Sequence, residues 1–117
     1  MTNQEILEKK YFAVVGDTTN PEKAAFKIKK ELLDNGYAVV SIPEEFELID
    51  DIKCDIDVLD LCINPVKGLN ILKRTKKNIP FVLIQPGAGS VEVEKYLNNK
   101  GIEFRKGCIL KILEGAE

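Results

Sequence analysis

The 117-residue chain contains no histidine and no tryptophan. The first absence excludes histidine-based triads, imidazole metal sites and the commonest general acid–base. Cysteine is scarce: Cys54, Cys62 and Cys108 are the whole set. Their number is odd and none stands in a C-x-x-C pair, so neither a zinc site nor a disulfide framework is expected. Apolar runs stay far below the ~18 residues that a membrane span needs, and no secretory leader pattern opens the sequence. The expected setting is soluble, reducing and cytoplasmic, with no membrane partner. Charge of one sign is also missing. Seventeen basic and 19 acidic side chains leave a net charge of −2, which gives no electrostatic footprint for nucleic acid. A local basic site for a phosphorylated small molecule remains open.

What is present is an ordinary globular composition, 44% hydrophobic and 31% charged. The length predicts one domain, able to bury a core without disulfides or a structural metal. Residues 1–10 read as a short helical extension, capped by Thr2 or Asn3. Residues 11–16 (YFAVVG) form a continuous apolar run closed by glycine, the pattern of a strand buried on both faces. Asn20 and Pro21 then suit the cap and first position of a helix, with Ala25, Ile28 and Leu32 at helical spacing. Residues 37–42 (YAVVSI) predict a second strand and residues 57–63 (DVLDLCI) a third. Residues 43–56 are acidic and irregular, with one helical turn around 48–52. Asn64 and Pro65 repeat the cap-and-proline signal and open a second helix. Residues 80–85 predict a fourth strand, Ser90 a cap for a third helix, and residues 102–104 a short fifth strand. Residues 107–113 close the pattern as a loop or helix.

Strands that alternate with helices predict an α/β fold with a parallel sheet. Right-handed crossovers place helices on both faces. The expected architecture is a Rossmann-like, doubly wound, five-stranded sheet in the order 2-1-3-4-5. In such sheets the ligand binds where the order reverses, beyond the carboxyl ends of the strands. The first loop is the most informative there. Gly16 permits a sharp turn and close backbone approach. Asp17 follows, then Thr18, Thr19 and Asn20 add hydroxyl and amide groups. Lys23, expected two residues into the helix, reaches a phosphate, and the helix start points free N–H groups back at the loop. A plain βα turn with an Asn-Pro cap would read the same way.

Two nucleotide signatures are absent. The dinucleotide pattern G-x-G-x-x-G does not follow the first strand, and Ile42-Pro43 stands where a ribose-binding carboxylate would close the second. Glu44 and Glu45 come just after, as a weak substitute. Gly87 and Gly89 lie after the fourth strand and are a decoy for the motif. The Walker pattern is missing too.

The order F-A-V-V-G…N-P-E-K…L-L-D-N-G-Y-A-V-V…D-V-L-D-L-C…I-Q-P-G…G-C resembles the small stand-alone CoA-binding proteins, relatives of the CoA-binding domain of succinyl-CoA synthetase. The resemblance runs from about Tyr11 to Leu113. It implies non-catalytic binding of coenzyme A or a short acyl-CoA, with the phosphates on Gly16, Thr18, Asn20, Pro21 and Lys23. It places Gln85 and Gly87 near the pantetheine, and Cys108 matches a cysteine near the family's C-terminus. The adenosine is expected near Ile42, Pro43 and the turn at Asn64, Pro65 and Lys67. Ile63 and Asn64 stand where many relatives carry two arginines, with Lys67 the nearest replacement. A relative that has lost CoA and acts through protein contacts, as a homodimer or a subunit, is the alternative reading. NAD or another adenine nucleotide is a third.

Other candidates have simpler readings. Cys108 lies beside Arg105 and Lys106, cations of the kind that activate a thiol, but the simpler reading, a small buried residue in the last turn, is preferred. Cys62 reads as core. Asp50, Asp51, Asp55, Asp57 and Asp60 read as a solvated loop and strand ends rather than a metal or acid–base site. Ser41 and Ser90 have no base to activate them, so no enzyme is expected.

Overall fold

The computed structural model describes residues 1–115. A short helix α1 (Asn3–Leu7) is closed at its start by a capping box: the Thr2 side chain accepts from the Glu5 N–H while Glu5 accepts from the Thr2 N–H. Strands β1 (Tyr11–Val15), β2 (Ala38–Ile42), β3 (Val58–Leu61), β4 (Phe81–Ile84) and β5 (Glu103–Lys106) form one sheet in the order β2-β1-β3-β4-β5. Every pairing is parallel. The intervening helices are α2 (Ala24–Asp34), α3 (Pro65–Lys73), α4 (Val91–Lys100) and α5 (Ile109–Glu114), with one 3₁₀ turn at Ile49–Asp51. Fold class and strand order are those expected from the sequence.

Side-chain alternation along the strands sorts the core into two layers. Ala13, Val15, Leu59, Leu61, Val82 and Ile84 face Leu72 of α3 and Val93 and Leu97 of α4. Phe12, Val14, Val58, Phe81 and Leu83 face the other way, onto Ile6, onto Ala25, Ile28 and Leu32 of α2, and onto Ile109 and Ile112 of α5. Burying each large side chain of this kind stabilises the fold by about 1.5–3 kcal/mol. Phe12 meets Tyr37 edge-on at 5.1 Å, and the Tyr37 hydroxyl donates to the Leu7 carbonyl at 2.7 Å, which ties α1 to the second layer. Helices α2 and α3, which follow the two adjacent strands β1 and β3, therefore leave toward opposite faces.

Several boundaries differ from the sequence reading. Helix α2 begins at Ala24, not near Pro21, because Asn20 makes a turn of its own. Its side chain accepts from the Glu22 N–H at 3.0 Å and its carbonyl from the Lys23 N–H at 2.9 Å. Lys23 is thus the N-cap residue rather than a residue inside the helix. Strand β3 stops at Leu61; the Cys62 N–H still donates to Val15 O at 2.8 Å, after which the chain turns into the Asn64 cap. Residues from Ile109 form a helix because the Gln85 side chain accepts the Ile109 N–H at 2.8 Å inside the core.

The acidic segment is not uniformly solvated. The Asp57 carboxylate accepts from the N–H groups of Lys10 and Tyr11, and Asp50 from those of Lys76 and Lys77, so both tie loops together. Asp60 corrects the reading outright. It is fully buried in the middle of β3, between Val14 and Leu83, and neither carboxylate oxygen has a hydrogen-bond partner among the described residues. Ser41, on the same row of the sheet, carries a buried hydroxyl that is also unpartnered. Burial pushes the Asp60 carboxyl well above the ordinary range, which favours its neutral form.

That shift has a defined sign. The stability associated with neutral Asp60 is complete below the unfolded-state pKa of about 4 and is lost as pH rises toward its folded value. Asp60→Asn removes this titration, so its stability relative to the natural protein should climb as pH rises above about 4. Urea midpoints across that range check it; parallel pH profiles for the two proteins would show that Asp60 does not titrate as argued.

Candidate functional site

A cleft of about 1010 Å³ opens at the carboxyl ends of β1 and β3, where the strand order reverses. Its floor is made by the first βα loop. Gly16 closes β1 with its N–H donated to Ile42 O at 2.9 Å. A Cβ on Gly16 would lie 2.3 Å from the Cys62 carbonyl oxygen and 2.9 Å from the Ala25 Cβ, so only glycine fits between β3 and α2. Asp17 is fixed by accepting from the Thr19 hydroxyl at 2.7 Å and the Thr19 N–H at 3.0 Å. The side-chain bond from Thr19, followed by the backbone one, holds the Asp17 carboxyl below its ordinary pKa. Thr18 is buried and donates its hydroxyl to Glu44.

Ala24 and Ala25 bring the start of α2 into the cleft, and no side chain caps that helix. Helix α3 is different: Asn64 accepts from the N–H of Val66 at 2.8 Å and of Lys67 at 3.4 Å. Its contribution is one long face. Lys67, Asn70, Ile71 and Arg74 recur at helical spacing and line the wall. Opposite stand Pro43, Glu44 and Glu47, from the segment after β2. Pro86, Gly87 and Ala88 form the rim after β4. The ionised lining is balanced, with Lys23, Lys67 and Arg74 against Asp17, Glu44 and Glu47.

Of the residues singled out by sequence, Gly16, Asp17, Thr18, Thr19, Lys23, Pro43, Asn64, Lys67 and Gly87 line this cleft together. Asn20 and Pro21 form the turn behind it. Ile42 is core, and Pro65 is the first residue of α3. Gln85 does not reach the cleft; it borders a smaller hollow of about 290 Å³ beside Gly87, Ser90 and Lys106. Cys108 lines neither space and is the N-cap residue of α5. Its neighbouring cations are engaged elsewhere. Arg105 donates to Met1 O and Asn3, and Lys106 lies 3.6 Å from Glu94.

Sequence reasoning passed over Asn70, Ile71 and Arg74, although their i, i+3, i+4, i+7 spacing from Lys67 marks one helix face. It also placed Cys62 in the core, whereas Cys62 is half-buried and lines the cleft. Burial, then the nearby Asp60, then Cys108, push the Cys62 thiol up to about 12, so it stays protonated at neutral pH. Among the described residues no cluster of ligand side chains could hold a metal ion, and no helix is long and apolar enough to cross a membrane.

Residues 10–114 match the model of the CoA binding domain family. Since the match spans most of the sequence, the chain belongs to that family. Solved structures agree with the fold. A conserved hypothetical protein from Pyrococcus furiosus is 27% identical with a TM-score of 0.80, over 91% of this chain and 99% of that one. A hypothetical protein from Pyrococcus horikoshii OT3 is 24% identical with a TM-score of 0.83, over 99% and 92%. A Thermus thermophilus protein is 21% identical with a TM-score of 0.76, over the whole of both chains. No curated protein sequence matches significantly.

The lack of room for a Cβ at Gly16, against the Cys62 carbonyl and Ala25, gives a direct prediction. Gly16→Ala should lower stability by about 1–3 kcal/mol by overpacking, seen as an earlier urea midpoint. An unchanged midpoint would mean that the loop accommodates a side chain the geometry excludes.

Proposed function

We propose that the chain binds a CoA-type nucleotide, an adenosine diphosphate joined to a pantetheine arm, without transforming it. The observation that carries this is the uncapped start of α2, which opens with Gly16 and Lys23 into a cleft of about 1010 Å³ in a chain of the CoA binding domain family. The N–H groups at a helix start and its positive dipole end suit a diphosphate. Lys23 supplies a charge-assisted contact from the N-cap position.

The diphosphate in this reading lies on the loop from Gly16 to Lys23. The adenosine runs between the segment after β2 and the α3 face, where Ile71 offers an apolar surface and Asn70 an amide. The arm leaves past Pro86, Gly87 and Ala88, and the short acyl group of an acyl-CoA would follow it outward. The absence of chemistry has its own support. The sequence has no histidine, and the cleft thiol of Cys62 is held protonated chiefly by burial. A protein-contact role is the second reading, favoured by the balanced charge of the lining.

Thermal-shift titration under reducing conditions tests the proposal. A ligand at a hundredfold excess over its dissociation constant adds about 2.7 kcal/mol. Pantetheine-bearing nucleotides should raise Tm more than ADP, NAD or ATP at equal concentration. Lys23→Glu should weaken their binding about tenfold or more. A cooperative melt that no nucleotide moves would favour the protein-contact reading, and unaltered affinity in Lys23→Glu would overturn the pose.

A further inference from the structure

The segment after β2 carries a feature that CoA binding alone does not use. Glu44 stands at the mouth of the cleft and is held in place from two sides. The buried Thr18 hydroxyl donates to its Oε2, and Lys29 Nζ lies 3.5 Å from the same oxygen. Its other oxygen, Oε1, has no hydrogen bond or ion pair among the described residues. A carboxylate fixed through one oxygen and open at the other is an acceptor for a pair of neighbouring hydroxyl groups.

Its position decides which hydroxyls. Thr18 belongs to the loop assigned to the diphosphate, and Glu44 touches it directly. The group one bond beyond a diphosphate in an adenine nucleotide is the ribose. In doubly wound folds, a carboxylate just past the second strand is placed to accept from a ribose diol. Here that residue follows Pro43 rather than ending the strand itself.

The surrounding charge points the same way. Lys29 is the cation nearest to Glu44, and it is committed to carboxylates, with Glu45 at 2.9 Å and Glu44 at 3.5 Å. Burial works against its charge, but the hydrogen bond and charge of Glu45 and the charge of Glu44 outweigh this and raise its pKa. Glu47 adds another carboxylate to the same wall. Lys67 and Arg74, seven residues and about 10 Å apart along α3, are the competing cations of the α3 wall.

We infer that Glu44 makes this cleft selective for a nucleotide whose adenosine ribose is a free diol, and against one bearing a 3′-phosphate. Within the CoA-type ligands of the preceding reading, on which this inference rests, the favoured form is the one lacking the 3′-phosphate. A phosphate dianion there would face Glu44 and Glu47 in place of a hydroxyl.

Isothermal titration of the natural protein with dephospho-CoA, CoA and ADP tests this without any variant. Dephospho-CoA should bind about tenfold or more tightly than CoA, and the gap should shrink at high salt. Glu44→Gln, which keeps the shape and the Thr18 contact, should narrow the gap; Glu44→Lys should reverse it. CoA binding as tightly as dephospho-CoA, or more tightly, overturns the inference while leaving the nucleotide reading intact. If Arg74→Ala then selectively weakens CoA, the 3′-phosphate is read by Arg74 instead. Failure of all three ligands overturns the nucleotide reading, and this inference with it.

Discussion

The cleft depends on one topological constraint: β1 lies between β2 and β3, and the chain must leave β1 and β3 by right-handed crossovers to opposite faces of the sheet. Helix α2 covers one layer of the core and α3 the other. The loops that lead to them part above the sheet, and the space between them cannot close. The close approach of Gly16 to the Cys62 carbonyl keeps the two strand ends together at the base of the opening. The helix starts then stand on either side, one without a side-chain cap and one capped by Asn64. Binding capacity therefore follows from strand order before any particular side chain is considered.

The charges in and under the cleft are organised by different rules. Those at the surface are paired locally: Asp17 with Thr19, Glu44 with Thr18 and Lys29, and Lys29 with Glu45. These contacts fix orientations and add little stability, because exposed ion pairs are screened by water. Beneath them Asp60 has no such partner. It sits in the layer between the sheet and α2, where burial disfavours its charge, and burial is also the main reason that the Cys62 thiol stays protonated. The floor of the cleft thus carries buried groups held in their uncharged forms, and the ionised side chains stand at its rim.

Most of the fold was legible in the sequence because parallel strands buried on both faces read as unbroken apolar runs. The runs at Tyr11 and Phe81 and the caps at Asn64 and Ser90 fall where the structure has them. What was not legible shares one cause, which is that local signals are reused by distant partners. Asn20 and Pro21 carry a helix-start signal but form a separate turn, so α2 begins later. Gln85 looks like a ligand residue by its place after β4, yet its side chain is drawn into the core by the Ile109 N–H. Asp60 belongs by sequence to an acidic stretch, and only the register between Val14 and Leu83 reveals its burial. The first loop was found through its glycine and hydroxyls, whereas the α3 wall was passed over because Asn70 and Arg74 look like an ordinary solvated helix face.

The central claim is that the crevice between β1 and β3 is the ligand site, with the diphosphate on the first loop. Amide chemical-shift mapping of the ¹⁵N-labelled protein during titration with dephospho-CoA tests it most directly. The account predicts the largest changes at Gly16, Thr18, Thr19, Ala24 and Ala25, with a second set at Glu44, Asn70, Ile71 and Gly87. Saturable changes confined to α5 and the β5 edge, with the first loop unmoved, would contradict it.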